Sequence, residues 1–159
     1  MSKSSAVPSF YRIFFTSIDP LLALWGAYMH FFTPDVVLNA YIPSSHSSYP
    51  TLVSTLPLHN MLFHQAGGFL LQSAFLSAVL LRYSSDVRVW KLAQTSILIV
   101  DVVMLFGLWW GLSNQGRLRT GDWRAEDWGS VGITVVVAVI RSLFVAGVGV
   151  GEDGRGKRE

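Results

Sequence analysis

The sequence contains four apolar stretches, and they are the feature that most constrains the fold. Each has roughly the length that a helix needs to cross a bilayer. They cover residues 13–32, 61–81, 92–112 and 129–150. About 20 apolar residues in a helix span a hydrocarbon core of about 30 Å. Hydrophobic residues make up 51% of the sequence and charged residues 14%, whereas soluble domains carry roughly a quarter charged residues. The sequence therefore predicts an all-α, integral membrane four-helix bundle, in which residues 1–159 form one transmembrane domain with a short charged tail at 151–159.

Pro20 leaves two interpretations of where the first span begins. Proline lacks a backbone donor, so it either kinks a helix or begins one. Asp19, directly before it, is then either a carboxyl inside the bilayer or a cap at the membrane interface for a helix that begins at Pro20. The following segment 34–50 is rich in serine and proline and is predicted to be a loop.

Lysine and arginine are retained in excess on the cytoplasmic side of membrane proteins, and their distribution predicts an orientation. One side of a four-span chain holds the N-terminus, the second connection and the C-terminal tail, and the other side holds the third connection. The first set is Lys3, Arg12, Arg82, Arg88, Lys91, Arg155, Lys157 and Arg158, and the second is Arg117, Arg119 and Arg124. Both termini are therefore predicted to lie on the same, cytoplasmic side.

Asp101 and Arg141 each lie near the centre of an apolar stretch. A charge there costs roughly 2.5 to 3.5 kcal/mol on insertion scales, so we expect the two charged groups to lie within direct or one-water reach of each other. In one interpretation they form an ion pair that fixes helix register and does no chemistry. In the other they line a polar ligand cavity, where Arg141 orients or polarises a ligand and Asp101 acts as a base or nucleophile.

Positions three, four or seven residues apart share a helix face, and the small and polar residues of the spans follow this spacing. The stripes are Asp19, Ala23, Gly26 and His30 in the first span, Asn60, His64, Gly68 and Gln72 with Gln65 beside them in the second, Gln94 with Asp101 in the third, and Thr134 with Arg141 in the fourth. Small residues permit close helix approach, and polar residues hydrogen-bond across the contact. We therefore expect all four stripes to face one interior, where a buried Asp19 is a candidate proton donor.

The segment Trp123–Trp128 directly precedes the fourth apolar stretch and reads WRAEDW. Its tryptophans fit an aromatic belt at the membrane boundary, and its acidic residues fit the N-terminus of a helix. The alternative is a mouth over the helix interior, in which Glu126 and Asp127 supply acid or base while Arg124 positions them.

The residue types also limit other chemistries. The sequence has no cysteine, which excludes disulfides, thiolate metal sites and cysteine nucleophiles. Its four histidines lack a compact metal-binding spacing, so no metal is expected. The net charge is only +2 and no basic stripe is interleaved with aromatics, so nucleic acid is not expected as a partner.

Four segments of the chain resemble a family of small, four-span fungal membrane proteins of unsettled function, some of them encoded beside polyketide or terpenoid biosynthetic genes. The segments are PSFYRIFFTSIDPLLALWGAY, HQAGGFLLQSAFLSAVLLR, VWKLAQTSILIVD and NQGRLRTGDWRAEDWGSVGIT, with the arginine of VIRSLF. The most specific pieces are IDP at 18–20, QAGG at 65–68, QGR at 115–117 and WRAEDWG at 123–129. The resemblance covers most of residues 8–149. It implies a fungal protein of the endoplasmic reticulum or another endomembrane, and it is compatible with a tailoring enzyme.

Together, residues and resemblance predict a membrane-embedded tailoring enzyme that needs no cofactor. By acid–base chemistry it would cyclise, isomerise or open an epoxide of an apolar polyketide or terpenoid. The candidate acid–base residues are Asp19, Asp101, Glu126 and Asp127, and the candidate substrate-binding residues are His64, Gln65, Gln72, Trp109, Trp110, Trp123, Arg124, Trp128 and Arg141. The alternative is a non-catalytic membrane protein that binds lipid or acts as a scaffold. Expected partners are membrane lipid, the apolar substrate, and a second copy of the chain or other biosynthetic enzymes.

Overall fold

A computed structural model describes residues 7–151, and every regular element in that range is helical. The predicted tail beyond Gly151 and the first six residues lie outside the described part of the chain. The helices are α1 (Ser9–Phe32), α2 (Pro34–Tyr41), α3 (Tyr49–Tyr83), α4 (Val87–Asn114) and α5 (Ala125–Val145). By length and composition α3, α4 and α5 are candidate membrane spans, and α1 with α2 forms a fourth if this bent pair counts as one span.

Helix α1 continues through Pro20. Its segment Phe14–Ile18 is a π-helical turn, a widening that often marks a functional region of a helix. Proline has no N–H for the carbonyl four residues earlier, and here that carbonyl, of Thr16, accepts a hydrogen bond from the Arg82 guanidinium on α3 at 2.8 Å. The interpretation of Asp19 as an interfacial cap was therefore wrong, because the helix does not begin at Pro20 and Asp19 is buried within it.

Helix α2 lies in the segment that was predicted to be a loop. It turns away from α1 by 108°, and Pro34 occupies its first turn, where a missing backbone donor costs nothing. Helix α3 then begins at Tyr49 and passes through Pro57, so it starts well before the predicted span at 61–81. The remaining irregular segment between α2 and α3 is short.

Two helix contacts organise the structure, α1 against α3 and α4 against α5, and α2 packs between α3 and α5. Gly67 permits the first contact, because a Cβ atom there would lie 3.1 Å from the Phe31 ring and 3.2 Å from the Cβ of His30. Close approach through a small residue is the usual way in which membrane helices associate.

Most of the stripe predicted for the second span does not face the interior, and only its first residue, Asn60, is partly buried. His64, Gly68 and Gln72 are exposed, as is Gln65, whereas the buried face of α3 carries Gly67, Ala74 and Ser77. This interpretation was wrong because both faces carry small residues at helical spacing, and the contact with α1 selects the face that presents Gly67.

A buried aromatic cluster joins the beginning of α1, the α3–α4 connection and the end of α5. Its members are Val7, Tyr11, Phe14, Phe15, Leu81, Val87, Trp90, Val137 and Phe144. The Tyr11 hydroxyl also donates to the carbonyl of Val148 at 3.0 Å. These segments therefore meet at one end of the molecule, which we call the aromatic end.

The fourth predicted stretch ran to residue 150, but α5 ends at Val145. Gly147 and Gly149 follow with φ of 87° and 72°, a conformation that glycine adopts without steric cost. The N–H of Val148 donates to the Leu143 carbonyl at 2.9 Å, so these glycines close the C-terminus of the helix.

Candidate functional site

Asp101 and Arg141 form a buried ion pair, which confirms the prediction that their charged groups meet. Asp101 is 7% exposed and Arg141 3% exposed. Nη1 of Arg141 donates directly to a carboxylate oxygen of Asp101. The pair links the middle of α4 to the last turns of α5.

The pair belongs to a larger group of side chains, which we call the interior cluster: Asp19, Ser77, Gln94, Asp101 and Arg141. Nη2 of Arg141 donates to Oδ1 of Asp19 at 2.5 Å, and Nε donates to Oε1 of Gln94 at 3.0 Å. The Ser77 hydroxyl donates to the other oxygen of Asp19 at 3.2 Å. All four long helices therefore contribute to one hydrogen-bonded group.

Local helix geometry explains how Asp19 and Ser77 meet. Asp19 directly follows the π-helical turn of α1, and Ser77 lies within a second π-helical turn, Leu76–Leu80, in α3. The two turns pack against each other. On α4, Gln94 and Asp101 are seven residues apart and therefore share the face that meets Arg141, as the sequence indicated.

The interior cluster is saturated rather than open. Arg141 directs its three nitrogen atoms to three side chains, and neither Arg141 nor its two aspartates line the two main cavities. One buried donor is left over, since Nε2 of Gln94 has no hydrogen-bond partner. The arrangement suits a lock between helices better than a site that admits a substrate.

A second charged group, the end cluster, lies at the opposite end of the helices from the aromatic cluster. It consists of Gln115, Arg117, Arg124 and Asp127. The Asp127 carboxylate accepts from the guanidinium of Arg117 and, at 2.8 Å, from the backbone N–H of Arg124. Arg124 also approaches it through Nε at 3.3 Å. Asp127 is 4% exposed and caps the N-terminus of α5, which confirms the capping interpretation for this residue.

The arginines of the end cluster reach beyond Asp127 to the backbone of α2. Nη2 of Arg124 donates to the carbonyl of Ala40 at 3.1 Å, and Nε2 of Gln115 donates to the carbonyl of Tyr41 at 2.9 Å. Nη1 of Arg117 in turn donates to Oε1 of Gln115 at 2.9 Å. The last carbonyls of a helix have no partner within it, so these side chains clamp the C-terminus of α2.

Gly116 makes this clamp possible. Its φ of 68° turns the chain sharply after α4, so that Gln115 and Arg117 on either side of it can both face the cluster. The motif QGR at 115–117 thus supplies the clamp, and the motif WRAEDWG at 123–129 supplies Asp127 and Arg124, which anchor it.

Two cavities lie beside the clamp. The larger, of about 590 Å³, is lined by residues of α2, the α2–α3 connection, α4 and α5, among them Tyr41, His46, Gly107, Asn114 and Asp127. The smaller, of about 400 Å³, is lined almost wholly by apolar residues of α3 and α4, with His30 of α1. Tyr41 and Met104 line both cavities.

The predicted site residues fall into separate places. Of the four candidate acid–base residues, Asp127 lines a cavity, Asp19 and Asp101 belong to the interior cluster, and Glu126 is exposed on the surface. The described residues contain no group of His, Asp and Glu side chains that could hold a metal ion.

The candidate substrate-binding residues divide in the same way. Arg141 belongs to the interior cluster and Arg124 to the end cluster. The remaining candidates lie outside both cavities: His64, Gln65, Gln72, Trp109, Trp110, Trp123 and Trp128. Trp123 donates to the Arg117 carbonyl at 3.0 Å and packs on Trp128, with ring centroids 4.8 Å apart.

Sequence reasoning missed Tyr41 and His46, which line the larger cavity. Both fall in the segment that was predicted to be a loop, where no periodic pattern marks a buried position. It also missed Gln115, although its motif QGR was among the most specific pieces of the sequence.

A family model described as a domain of unknown function (DUF7704) matches residues 4–151. Comparison with curated proteins and comparison with solved structures gave no match.

Proposed function

We propose that this chain, which belongs to the family described as a domain of unknown function (DUF7704), is an integral membrane protein that binds an apolar small molecule between its helices. The single observation that carries the proposal is the cavity of about 590 Å³, a size typical of small-molecule sites. Its wall combines apolar side chains such as Leu52, Leu108 and Val131 with polar groups confined to one end. Such a wall favours an apolar ligand and orients it by a few polar contacts.

The resemblance noted in the sequence suggests the kind of ligand. In a fungal endomembrane, a polyketide or terpenoid would reach the cavity through the bilayer. The smaller cavity allows longer ligands, because its apolar wall continues past Met104 toward the middle of α4.

Photolabelling tests this proposal. The purified protein in nanodiscs is irradiated with an isoprenoid hydrocarbon that carries a diazirine, and labelled peptides are mapped by mass spectrometry. We expect labels on 40–52 and 104–115, competed by excess unlabelled hydrocarbon. Labelling confined to outward-facing residues such as Trp25 and Phe75, which line neither cavity, without competition, would contradict a binding site.

Gly107 offers a matched pair of variants for this experiment. A Cβ atom at Gly107 meets nothing within 4 Å, and the same is true of Gly68, which lines neither cavity. Gly107→Leu therefore fills the larger cavity without a clash against the backbone, whereas Gly68→Leu adds the same side chain elsewhere. We expect the first variant to lose labelling and the second to keep it.

A second candidate function, catalysis on the bound molecule, is favoured by the groups that face the larger cavity. Asp127 lies in its wall together with Tyr41 and His46. Asp127 accepts hydrogen bonds from Arg117 and Arg124, which stabilise its ionised form, so it would act as a base rather than an acid. This favours an isomerisation or cyclisation that begins with removal of a proton, with His46 as the partner that returns it.

Gene deletion with complementation tests catalysis. Metabolites of a deletion strain are compared with those of strains that express the wild type, His46→Gln or Glu126→Gln at equal protein levels. Catalysis in the cavity predicts an accumulating precursor in the deletion strain and in His46→Gln, and normal product in Glu126→Gln. An unchanged metabolite profile in the deletion strain would contradict catalysis and leave only the binding proposal. Loss of product in Glu126→Gln would show that Glu126 takes part in the reaction.

We further propose that the four spans form a bundle with both termini in the cytoplasm. Arg12, Arg82, Arg88 and Lys91 belong to the segments that meet at the aromatic end, and Arg117, Arg119 and Arg124 lie at the other end. Because the sequence has no cysteine, single variants Ser85→Cys and Thr120→Cys report each end without background. In sealed vesicles with the cytoplasmic face outward, we expect an impermeant maleimide to label Ser85→Cys only.

A further inference from the structure

We infer that the ligand is a neutral amphiphile, with one uncharged hydrogen-bonding head at the end cluster and an apolar tail that runs along α4 toward the middle of the membrane. This inference rests on the proposed binding function and names the class of molecule that the same cavities accept. It excludes carboxylates, phosphates and diphosphates as ligands of this site.

The cavity walls are polar at one end only. In the larger cavity the polar side chains belong to the ends of α2 and α4, the first turns of α5 and the α2–α3 connection: Tyr41, His46, Ser48, Asn114, Gln115, Asp127 and Ser130. The smaller cavity offers only His30, Tyr41 and Ser73 among apolar neighbours. A ligand that fits both environments has a polar head and an apolar tail.

Helix α4 gives the length of the tail. Its residues in the cavity walls follow one another from Gln115 through Gly111 and Met104 to Val100. At 1.5 Å per residue this stretch of helix is about 22 Å long. Tyr41 and Met104 line both cavities, so a ligand that passes them and occupies both would extend up to about 20 Å, roughly two thirds of the hydrocarbon core.

The charges around the cavities decide the nature of the head. Within the described chain no lysine or arginine lines either cavity, and Asp127 is the one carboxylate in their walls. Arg117 and Arg124, the cations of the end cluster, lie outside both cavity walls and are already paired with Asp127. An anionic head would therefore meet a carboxylate and no arginine or lysine in the cavity walls, which is unfavourable in a site of low dielectric constant.

The same end of the larger cavity offers hydrogen-bonding groups for a neutral head. Asn114 carries an amide that both donates and accepts, and Ser48 and His46 add a hydroxyl and an imidazole. These groups suit a hydroxyl or a carbonyl, which requires one or two hydrogen bonds and no counter-charge. A long-chain isoprenoid alcohol or ketone has this chemistry.

A head-group series tests the inference against the same photolabel. Farnesol, farnesoic acid and the triene hydrocarbon in which a methyl group replaces the CH2OH of farnesol share one unsaturated chain and differ only at the head. Competition is measured at pH 8, with concentrations expressed as mole fractions in the nanodisc membrane. We expect farnesol to displace the label at a mole fraction at least tenfold lower than either other compound.

The outcomes separate the two proposals. Equal or better competition by farnesoic acid would overturn the exclusion of anions. Equal competition by the triene hydrocarbon would overturn recognition of the head. Both results leave a binding cavity in place. Absence of competed labelling by any compound would overturn the binding function itself and this inference with it.

A variant that gains binding of the acid gives a further test, because a misfolded protein would not gain binding. Ser130 lines the larger cavity near Asp127, and Ser130→Lys places a cation there. We expect this variant to bind farnesoic acid at least tenfold better than the wild type does. Ser130→Gln, which adds length without charge, serves as the control and is expected to show no gain in binding of farnesoic acid.

Discussion

The interior and end clusters use the same two residue types in opposite proportions. The interior cluster holds two aspartates around one arginine, Arg141, and the end cluster holds two arginines around one aspartate, Asp127. In the first, every guanidinium nitrogen faces a side chain. In the second, the arginines have donors to spare and use them on backbone carbonyls of α2 and of the α4–α5 connection.

This difference separates two tasks. A saturated arginine fixes how four helices meet, and it leaves nothing free to contact a ligand. Surplus arginine donors instead position a short helix whose last residue, Tyr41, lines both cavities. Charge inside the apolar part of the protein therefore joins helices, whereas charge at the end positions a wall of the cavities.

The largest effect is expected from Arg141→Met, which leaves two buried carboxyl groups without their cation. Removing one member of a buried ion pair typically costs about 3 to 5 kcal/mol. We expect a loss of this size in unfolding free energy, measured by chemical denaturation in mild detergent.

A triple variant shows whether the missing charge is the cause. Adding Asp19→Asn and Asp101→Asn to Arg141→Met removes both orphaned carboxylates and keeps their shape. The triple variant is expected to recover most of the lost stability. A triple variant as unstable as Arg141→Met alone would refute the electrostatic account.

A smaller loss is expected from Asp127→Asn in the end cluster. The change weakens charge-assisted hydrogen bonds from Arg117 and from the Arg124 backbone, and bonds to a charged group are worth about 1.5 to 3 kcal/mol. Since Arg124 is partly exposed, we expect the lower part of that range, about 1.5 kcal/mol. Denaturation under the same conditions gives the number.

Glu126→Gln is the matched control, because it alters the neighbouring but exposed carboxyl. Surface substitutions usually stay within about 0.5 kcal/mol. If both variants lose the same stability, the distinction between a clamped and a solvated carboxylate is wrong.

A still smaller, local effect is expected from Gln115→Ala. It removes one hydrogen bond to the Tyr41 carbonyl and one from Arg117, and a single neutral bond contributes about 0.5 to 1.5 kcal/mol. Hydrogen–deuterium exchange should rise in 34–48 and stay unchanged in α4 and α5. Faster exchange throughout the protein would show that Gln115 supports the whole fold rather than α2.

The smallest effect concerns salt. The side chains of Arg117 and Arg124 are 15% and 26% exposed, whereas that of Arg141 is 4% exposed. Ions screen charges that reach solvent more than buried charges, so raising NaCl from about 0.05 M to about 0.5 M should reduce the cost of Asp127→Asn by a few tenths of a kcal/mol. The cost of Arg141→Met should not change. Equal salt sensitivity of the two would place both clusters in contact with solvent.

The sequence predicted the parts of this structure that depend on residue type along one helix. The apolar stretches indicated the helices, the central positions of Asp101 and Arg141 indicated their pairing, and the spacing of Gln94 and Asp101 indicated a shared face. The sequence did not predict which face of α3 packs against α1. Both faces of α3 carry small residues, and only the packing of Phe31 against Gly67 selects one.

The sequence alone determined that the chain forms helices apolar enough to cross a membrane. It also determined that the charges near the centres of two apolar stretches pair with each other. Tertiary structure alone decided that Asp19 joins Asp101 on Arg141, and that a serine- and proline-rich segment folds into α2. It also decided that QGR and WRAEDWG close over a cavity. The physical reason is that hydropathy and helical period act between neighbours in sequence. The clamp and the interior cluster, in contrast, are made by residues 40 to 122 positions apart, whose meeting depends on how whole helices pack.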